Sequence, residues 1–160
     1  MARQELYLIL HNIRSAYNVG SIFRTADATG VKKIYVCGYS PAPDDKKVAK
    51  TALGAEKFIP WERSKQTWRL IEKLKASGVQ IVALERFDKL TSSKLEVQNI
   101  FKFKPKFPLA LVVGNEVGGL SDAVLKYADK IIAIPMYGKK ESLNVAVATG
   151  IAIYKLLEKK

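Results

Sequence analysis

The segment LALVV at 109–113, followed by Gly114, Asn115 and Glu116, decides the fold class. Its five apolar residues have no polar alternation, which is typical of a strand that is buried on both faces. A second segment of this kind covers residues 131–134 and is stopped by Pro135. Such strands occur in parallel sheets with helices on both faces. The pattern therefore predicts an α/β domain with a mostly parallel sheet.

Helical and extended patterns alternate along the rest of the chain. The spacing of one helix face is kept by Val19, Ile22, Phe23 and Ala26. Asn18 is the predicted N-cap of this helix and Gly30 its stop. Further strands are predicted at 6–10, 33–37 and 79–84, and further helices at 46–53, 64–77, from Ser121 and from Ser142 to about 157. Residues 86–107 fit neither pattern.

The last predicted helix, 143–157, carries almost no polar stripe. A helix that is apolar all round is buried on two sides. In a domain of 160 residues, the second covering element is predicted to be another subunit. No repeat or linker divides the chain, so we expect a single domain over 1–160.

The charge balance predicts a polyanionic partner. Lys and Arg number 27 against 15 Asp and Glu, which gives a net charge of +12. The lysines are scattered rather than gathered on one amphipathic helix, no apolar run is long enough to cross a bilayer, and the start of the chain lacks a signal-peptide pattern. We therefore expect a cytoplasmic protein that binds nucleic acid and not a membrane.

The chain has one His, His11, and one Cys, Cys37. These numbers exclude an internal disulfide, a Cys/His zinc site within the chain and most histidine-based acid–base schemes. Cys37 follows the apolar residues 34–36 and is predicted to be a buried small hydrophobe.

Four polar clusters follow predicted strands, at 11–18, 84–86, 114–121 and 136–144. Open α/β sheets bind ligands beyond the carboxyl ends of their strands. The dinucleotide fingerprint G-x-G-x-x-G and the phosphate-binding loop G-x-x-x-x-G-K-[ST] are both absent, which argues against NAD and nucleotide-hydrolysis functions. Each cluster also has a structural interpretation as caps, tight turns or solvated surface.

Three motifs together carry a family resemblance: NVGSIFRTAD at 18–27, VGNEVGGLS at 113–121 and IPMYGKKESLNVA at 134–146. In this order they resemble the signature motifs of the SpoU/TrmH family of RNA 2′-O-ribose methyltransferases, part of the SPOUT superfamily. The resemblance implies an α/β fold with a deep C-terminal trefoil knot, a homodimer with the active site at the subunit interface, and S-adenosylmethionine bound in the knot. No metal is expected.

The resemblance also assigns residues to the site. The implied cofactor-binding residues are Leu84, Gly114, Ile134, Met136 and Leu143. The implied catalytic residues are Arg24, Asn18, Glu116, Ser142 and Asn144. A free arginine does not lose its proton in proteins. We therefore interpret Arg24 as a group that holds the target phosphate and polarises the 2′-oxygen, while the proton leaves through a network or the phosphate.

The expected substrate is tRNA or rRNA. With no separate RNA-recognition domain expected at 1–160, the RNA affinity would come from the net charge of +12. Three alternatives stay open: a non-catalytic RNA-binding or ribosome-assembly protein that keeps the fold, a metabolic α/β enzyme that uses a nucleotide, and methylation of a base rather than a ribose.

Overall fold

The computed structural model describes residues 4–89 and 91–159, and over these residues seven strands form one sheet. The strands are β1 (Leu6–His11), β2 (Lys33–Cys37), β3 (Trp61–Ser64), β4 (Gln80–Leu84), β5 (Val97–Asn99), β6 (Leu109–Val113) and β7 (Lys130–Ala133). Their order is β3-β2-β1-β6-β4-β7-β5, and every pair of neighbours is parallel. The predicted α/β class is confirmed.

Helices cover both faces of the sheet, as the apolar strands require. The helices are α1 (Ala16–Thr29), α2 (Lys46–Ala52), α3 (Thr67–Ala76), α4 (Asp122–Leu125) and α5 (Val145–Leu156), with a single 3₁₀ turn at Ala55–Lys57. Helices α1, α2 and α5 share one apolar core, and α3 and α4 share the other. In β1, Leu8 and Leu10 face the first core and Ile9 the second, because successive side chains of a strand point to opposite faces.

The strands predicted from apolar runs are present as β1, β2, β4, β6 and β7. The predicted helix at 64–77 was too long at its start. Trp61–Ser64 is a strand that pairs with β2 at the sheet edge, and α3 begins only at Thr67. Residues 86–107, which fitted neither pattern, contain the short strand β5.

Two predicted helix starts were wrong. Asn18 was the predicted N-cap of α1, but Ser15 caps this helix and its side chain accepts a hydrogen bond from the Asn18 backbone N–H. Ser142 was the predicted start of the last helix, but Asn144 caps α5 and its Oδ1 accepts from the backbone N–H groups of Ala146 and Val147. The Asn18 side chain is therefore free of a capping role, whereas the Asn144 side chain has one.

Cys37 is buried, as predicted from the apolar run around it. Burial raises the pKa of its thiol to about 12, although hydrogen bonding with Thr67 and Ser64 opposes this. Among the residues that the structure describes, no helix combines the length and apolar character that a bilayer span requires. The trefoil knot implied by the resemblance stays a prediction.

Candidate active site

A polar network joins the three sequence motifs at the carboxyl ends of the central strands. Asn18 Nδ2 donates to Glu116 Oε1 at 3.1 Å. Asn144 Nδ2 in turn donates to Asn18 Oδ1, also at 3.1 Å. The three residues are 98 and 126 positions apart along the chain, and the fold brings them into one hydrogen-bonded row. We call this row, Glu116–Asn18–Asn144, the polar network.

Glu116 holds the start of α1 in place. Its carboxylate accepts from the backbone N–H groups of Arg14 and Ser15, both at 3.1 Å. A negative charge at this end of a helix is also stabilised by the helix dipole. Partial burial acts to raise the pKa of the Glu116 carboxyl, but the hydrogen bonds from Arg14, Asn18 and Ser15 together outweigh it and lower the pKa. The carboxylate is therefore ionised at neutral pH and acts as an acceptor.

The network leaves donors unused. A side-chain amide nitrogen carries two hydrogens. The hydrogen bonds above use one on Asn18 and one on Asn144. Each asparagine keeps a second N–H, which can bind an oxygen of an incoming ligand. Since both amides are already fixed by their partners, little ordering cost is left for that contact.

The structure places the other two predicted catalytic residues differently. Arg24 is exposed on α1, and its side chain makes no hydrogen bond or ion pair with the rest of the described chain. It lies six residues beyond Asn18, about 9 Å along the helix axis. Ser142 is exposed in the loop before α5 and lines the cavity beside the network. Within one chain, Arg24 therefore does not join the polar network.

A cavity of about 310 Å³ opens next to Glu116. It lies beyond the carboxyl ends of β4, β6 and β7, where α/β sheets commonly bind ligands. All five predicted cofactor-binding residues line it, namely Leu84, Gly114, Ile134, Met136 and Leu143. We call it the cofactor cavity. Its volume is at the lower end of the range for small-molecule sites.

Gly114 is required where the cofactor cavity meets the turn after β6. A Cβ at this position would lie 2.7 Å from the backbone carbon of Gly119 and 2.8 Å from its oxygen. Real side chains do not approach a backbone this closely, so any other residue would push the turn at 114–119 away. Gly119 itself has φ 66°, a left-handed conformation that favours glycine.

Glu85 stabilises the turn at 114–119 through hydrogen bonds and an ion pair. Its side chain is only 5% exposed, and its carboxylate accepts from the backbone N–H of Leu120 at 2.6 Å and of Arg86 at 3.1 Å. Lys89 pairs with Glu85 at 3.5 Å and donates to the carbonyl of Gly118 at 2.7 Å. Sequence analysis placed Glu85 in a polar cluster without giving it a role. An acidic residue directly after an apolar strand was the available signal.

The lining of the cofactor cavity combines apolar side chains with charged groups of both signs, including Arg86 and Lys89, which pair with Glu141 and Glu85. Apolar side chains from the ends of β4 and β6 and from the loop before α5 form much of its wall, including Leu84, Val113 and Leu143. Carboxylates of Glu85, Glu116 and Glu141 also line it. Within the described residues, no group of three or more His, Cys, Asp or Glu side chains is arranged to hold a metal ion.

Residues 5–154 match the model of the SpoU rRNA Methylase family. The chain belongs to this family. The match spans the three motifs and every predicted site residue.

Similar proteins in the SpoU family include enzymes named for both tRNA and rRNA. The chain is 35% identical over 155 residues to the tRNA (guanosine(18)-2′-O)-methyltransferase of Aquifex aeolicus, covering 96% of this chain and 69% of that enzyme. It is 32% identical over 155 residues to a 23S rRNA (guanosine-2′-O-)-methyltransferase of Vibrio parahaemolyticus, covering 97% of this chain and 60% of that enzyme. The chain thus spans less than two thirds of the length of the rRNA enzyme.

The fold is also similar to solved structures of SpoU-family proteins. The SpoU methyltransferase AviRb from Streptomyces viridochromogenes, solved in complex with the cofactor AdoMet, aligns with a TM-score of 0.84 at 26% identity. This alignment covers 98% of the present chain and 61% of AviRb. The likeness extends to the whole of the seven-stranded sheet and the helices around it.

Proposed function

We propose that this chain transfers a methyl group from S-adenosylmethionine to a ribose 2′-hydroxyl of tRNA or rRNA. One observation carries the proposal: the cavity lined by all five predicted cofactor-binding residues opens beside the polar network. Membership of the SpoU family and the activities named for its relatives support it.

The cofactor cavity fits S-adenosylmethionine. Leu84, Ile134 and Leu143 would pack against the adenine, and Gly114 leaves the backbone accessible to its polar edge. Of the carboxylates that line the cavity, those of Glu85 and Glu141 are paired with Lys89 and Arg86, whereas that of Glu116 has no cationic partner among the described residues and favours a nearby positive charge. When bound, the cofactor supplies an electrophilic methyl group on a positively charged sulfur.

The polar network then orients the ribose. The unused N–H groups of Asn18 and Asn144 are placed to donate to ribose or phosphate oxygens. Positioning of this kind is a large part of catalysis when the reacting group is already activated. Glu116 is a poor general base, because its lowered pKa and its hydrogen bonds favour the ionised form that holds α1 and Asn18. Ser142, at the edge of the cavity, is placed to contact the methyl donor or the ribose.

Arg24 supplies the positive charge at the attacking oxygen. Its guanidinium can hold a phosphate and polarise the 2′-oxygen at once because of its planar fork of donors. The hydroxyl proton is then lost to a phosphate oxygen or through the network. Because Arg24 lies about 9 Å from Asn18 along the same helix, the Arg24 that reaches the ribose comes from a second chain in this proposal.

We propose a homodimer built on the outward faces of α1 and α5. A groove between these helices is lined by the network residues Asn18 and Asn144 and by Val147, Ile151 and Tyr154. Val147 is 52% exposed and Tyr154 62% exposed. A second copy covering this face would bury the apolar side of α5 and place its own α1 beside the polar network. We expect such an RNA-modifying dimer to act in the cytoplasm.

Calorimetry and methyl transfer test the proposal together. S-adenosylmethionine should bind the purified protein in the presence of a chelator, and tRNA or rRNA transcripts should gain a 2′-O-methylnucleoside that mass spectrometry identifies. We expect Gly114→Ala to abolish cofactor binding, since the new Cβ collides with Gly119. Gly138→Ala is the matched control, because a Cβ there meets no atom within 4 Å.

Two of the competing functions, and a metal-dependent cofactor site, each have their own result in these measurements. RNA binding without cofactor binding would favour a non-catalytic protein that keeps the fold. A methyl group on a base would contradict the ribose assignment. Cofactor binding that strictly requires a divalent ion would contradict a metal-free site.

A further inference from the structure

Tyr39, in the turn after β2, is exposed and yet fixed. Its side chain is 60% exposed. Its phenol oxygen accepts a hydrogen bond from Asn115 Nδ2 at 2.7 Å, and its backbone N–H donates to Asn12 Oδ1 at 3.2 Å. An exposed aromatic ring that is already held at its tip loses little conformational entropy when a ligand packs against it.

Asn115 connects Tyr39 to the candidate active site. Its Nδ2 also donates to the carbonyl of Asn12 at 3.2 Å. Its Oδ1 accepts from the backbone N–H groups of Val117 at 2.8 Å and Gly118 at 3.1 Å. Asn115 precedes Glu116 directly, so the residue that holds the Tyr39 ring belongs to the turn that presents Glu116 to the polar network.

The ring of Tyr39 borders two cavities of similar size. One, of about 440 Å³, is lined by Asp44 and Asp45. Arg63, the one cationic residue among the described residues that line it, is paired with Asp44. Acidic side chains there oppose an RNA chain. The other, of about 410 Å³, lies between Tyr39 and the turn at 118–122. We call it the Tyr39 cavity.

The Tyr39 cavity offers polar groups suited to an uncharged, flat ligand. His11 lines it, with Nδ1 2.6 Å from Thr67 Oγ1 and Nε2 3.4 Å from Asn12 Nδ2. Burial lowers the pKa of His11, so the imidazole is neutral near pH 7. Ser121 adds a hydroxyl, and Lys89 lines the cavity with an ammonium group that is already paired with Glu85. The described lining of the cavity has one acidic side chain, that of Asp122, whose Oδ1 accepts from Thr91 and Ser92. These hydrogen bonds lower the pKa of its carboxyl, so it stays charged.

We propose that the Tyr39 cavity binds one nucleobase of the RNA at or beside the methylated nucleotide, stacked on the Tyr39 ring with its edge facing His11 and Ser121. Every nucleobase has a π face that stacks on an aromatic side chain. The base enters next to Glu116, because Asn115 joins the two sites. The inference rests on the proposed function, because that function makes RNA the ligand. It assigns a binding role to Tyr39, a residue that lies outside the three motifs.

Nuclear magnetic resonance on the full chain tests this site without any methyl transfer. The probes are AMP, GMP, CMP and UMP at millimolar concentration, with ribose 5-phosphate as the ligand that lacks a base. We expect a base-dependent shift of the Tyr39 backbone amide and of the Asn115 side-chain amide. Tyr39→Leu should lose the shift and Tyr39→Trp should keep it. Phe58→Leu is the matched control, since Phe58 is 73% exposed and lines neither cavity.

RNA affinity gives the second measurement. Tyr39→Leu should weaken binding of the methylated transcript by about tenfold or more, the usual cost of removing one stacked base contact. Affinity for S-adenosylmethionine should not change, because Tyr39 does not line the cofactor cavity.

The proposal is overturned if no nucleotide shifts these two amides more than ribose 5-phosphate does. It is equally overturned if Tyr39→Leu keeps the shift or the full RNA affinity. Either result leaves the proposed function standing, provided that the wild type binds cofactor and methylates a ribose. If the wild type shows the base-dependent shift but no methyl transfer, the nucleobase site stands and the proposed function fails.

Discussion

Asn18 and Arg24 lie on the same helix and have opposite surroundings. Asn18 is hydrogen-bonded to Glu116 and to Asn144, two residues from distant parts of the chain. Arg24 is exposed, and no described side chain pairs with it. The side chain of Asn18 is therefore held in place before any ligand binds. The charge of Arg24, in the middle of the same helix, has no partner among the described side chains before a ligand binds.

This difference separates two kinds of contribution to catalysis. A group that the folded chain already holds can orient a substrate at little further cost. An exposed arginine stabilises charge only when the substrate, or a second copy of the chain, encloses it. Removing Arg24 should therefore affect activity without affecting the fold, and removing a network residue should affect both.

The largest effect is expected for Arg24. We expect Arg24→Ala to lower the single-turnover rate of methyl transfer on the order of 10²–10³-fold, as for other positioned donors at a developing charge. Cofactor affinity should stay unchanged, because Arg24 does not line the cofactor cavity. Arg24→Lys should remain impaired by at least about tenfold, since lysine lacks the planar fork.

Lys50→Ala is the control for Arg24, since it removes another exposed cation from a neighbouring helix. If Arg24→Ala weakens RNA binding by the full factor lost in rate, and transfer from the saturated complex is unchanged, Arg24 is only a phosphate anchor. The catalytic assignment would then move to Asn18, Glu116, Ser142 or Asn144.

The second-largest effect is expected for the proposed dimer interface on α1 and α5. In a two-fold interface each chain contributes the same surface, so Ile151→Glu would bury one new carboxylate from each chain in an apolar interface. We expect the dimer to weaken by about 100-fold or more, since an uncompensated buried charge costs about 3–5 kcal/mol. Analytical ultracentrifugation measures this. Ala76→Glu, at an exposed position on α3, is the control. A wild type that is a folded monomer at micromolar concentration contradicts the dimer.

The smallest effect is expected for the organised end of α1. Glu116→Gln removes a charged acceptor of three hydrogen bonds and should lower the free energy of unfolding by about 1–2 kcal/mol at neutral pH. The pKa of Glu116 is lowered in the folded protein, so its contribution to stability is present above the unfolded pKa, about 4.3, and is lost as the pH falls through the folded value.

Urea unfolding at neutral and acid pH checks this sign. The wild type and Glu116→Gln should differ at pH 7 and converge in acid. Glu96→Gln, which neutralises an exposed carboxylate, should differ little from the wild type at either pH. A difference that grows in acid would mean that the carboxylate opposes folding.

The apolar strands made much of the fold predictable. Residues 109–113 are buried at every position, and a run of this kind has few other stable environments. The edge strand β3 was missed because Trp61, Glu62, Arg63 and Ser64 show neither an apolar run nor a regular alternation. Its place is set by pairing with β2, which a local pattern does not contain.

The part of the candidate site formed by strand ends and by the three motifs could be predicted from the sequence. The five predicted cofactor-binding residues end or follow a strand, or precede α5, and they line one cavity. The N-cap of α1 was harder to predict, because Ser15 and Asn18 are both good capping residues within one turn. The hydrogen bond of Asn18 to the distant Glu116 distinguishes the two. The roles of Glu85 and Tyr39 depend on contacts with residues 35 and 76 positions away, which no local spacing reveals.

The burial of Cys37 has a practical consequence for following this protein in solution. The chain contains one cysteine, and its thiol carries almost no thiolate at neutral pH because its pKa is about 12. Maleimide dyes will therefore leave the wild type unlabelled while it is folded. A cysteine introduced by Tyr137→Cys, where the side chain is 90% exposed in the loop before α5, would take up a single fluorophore. Its emission would report any change in the surroundings of that loop when a ligand binds, and Cys37 would not need to be replaced.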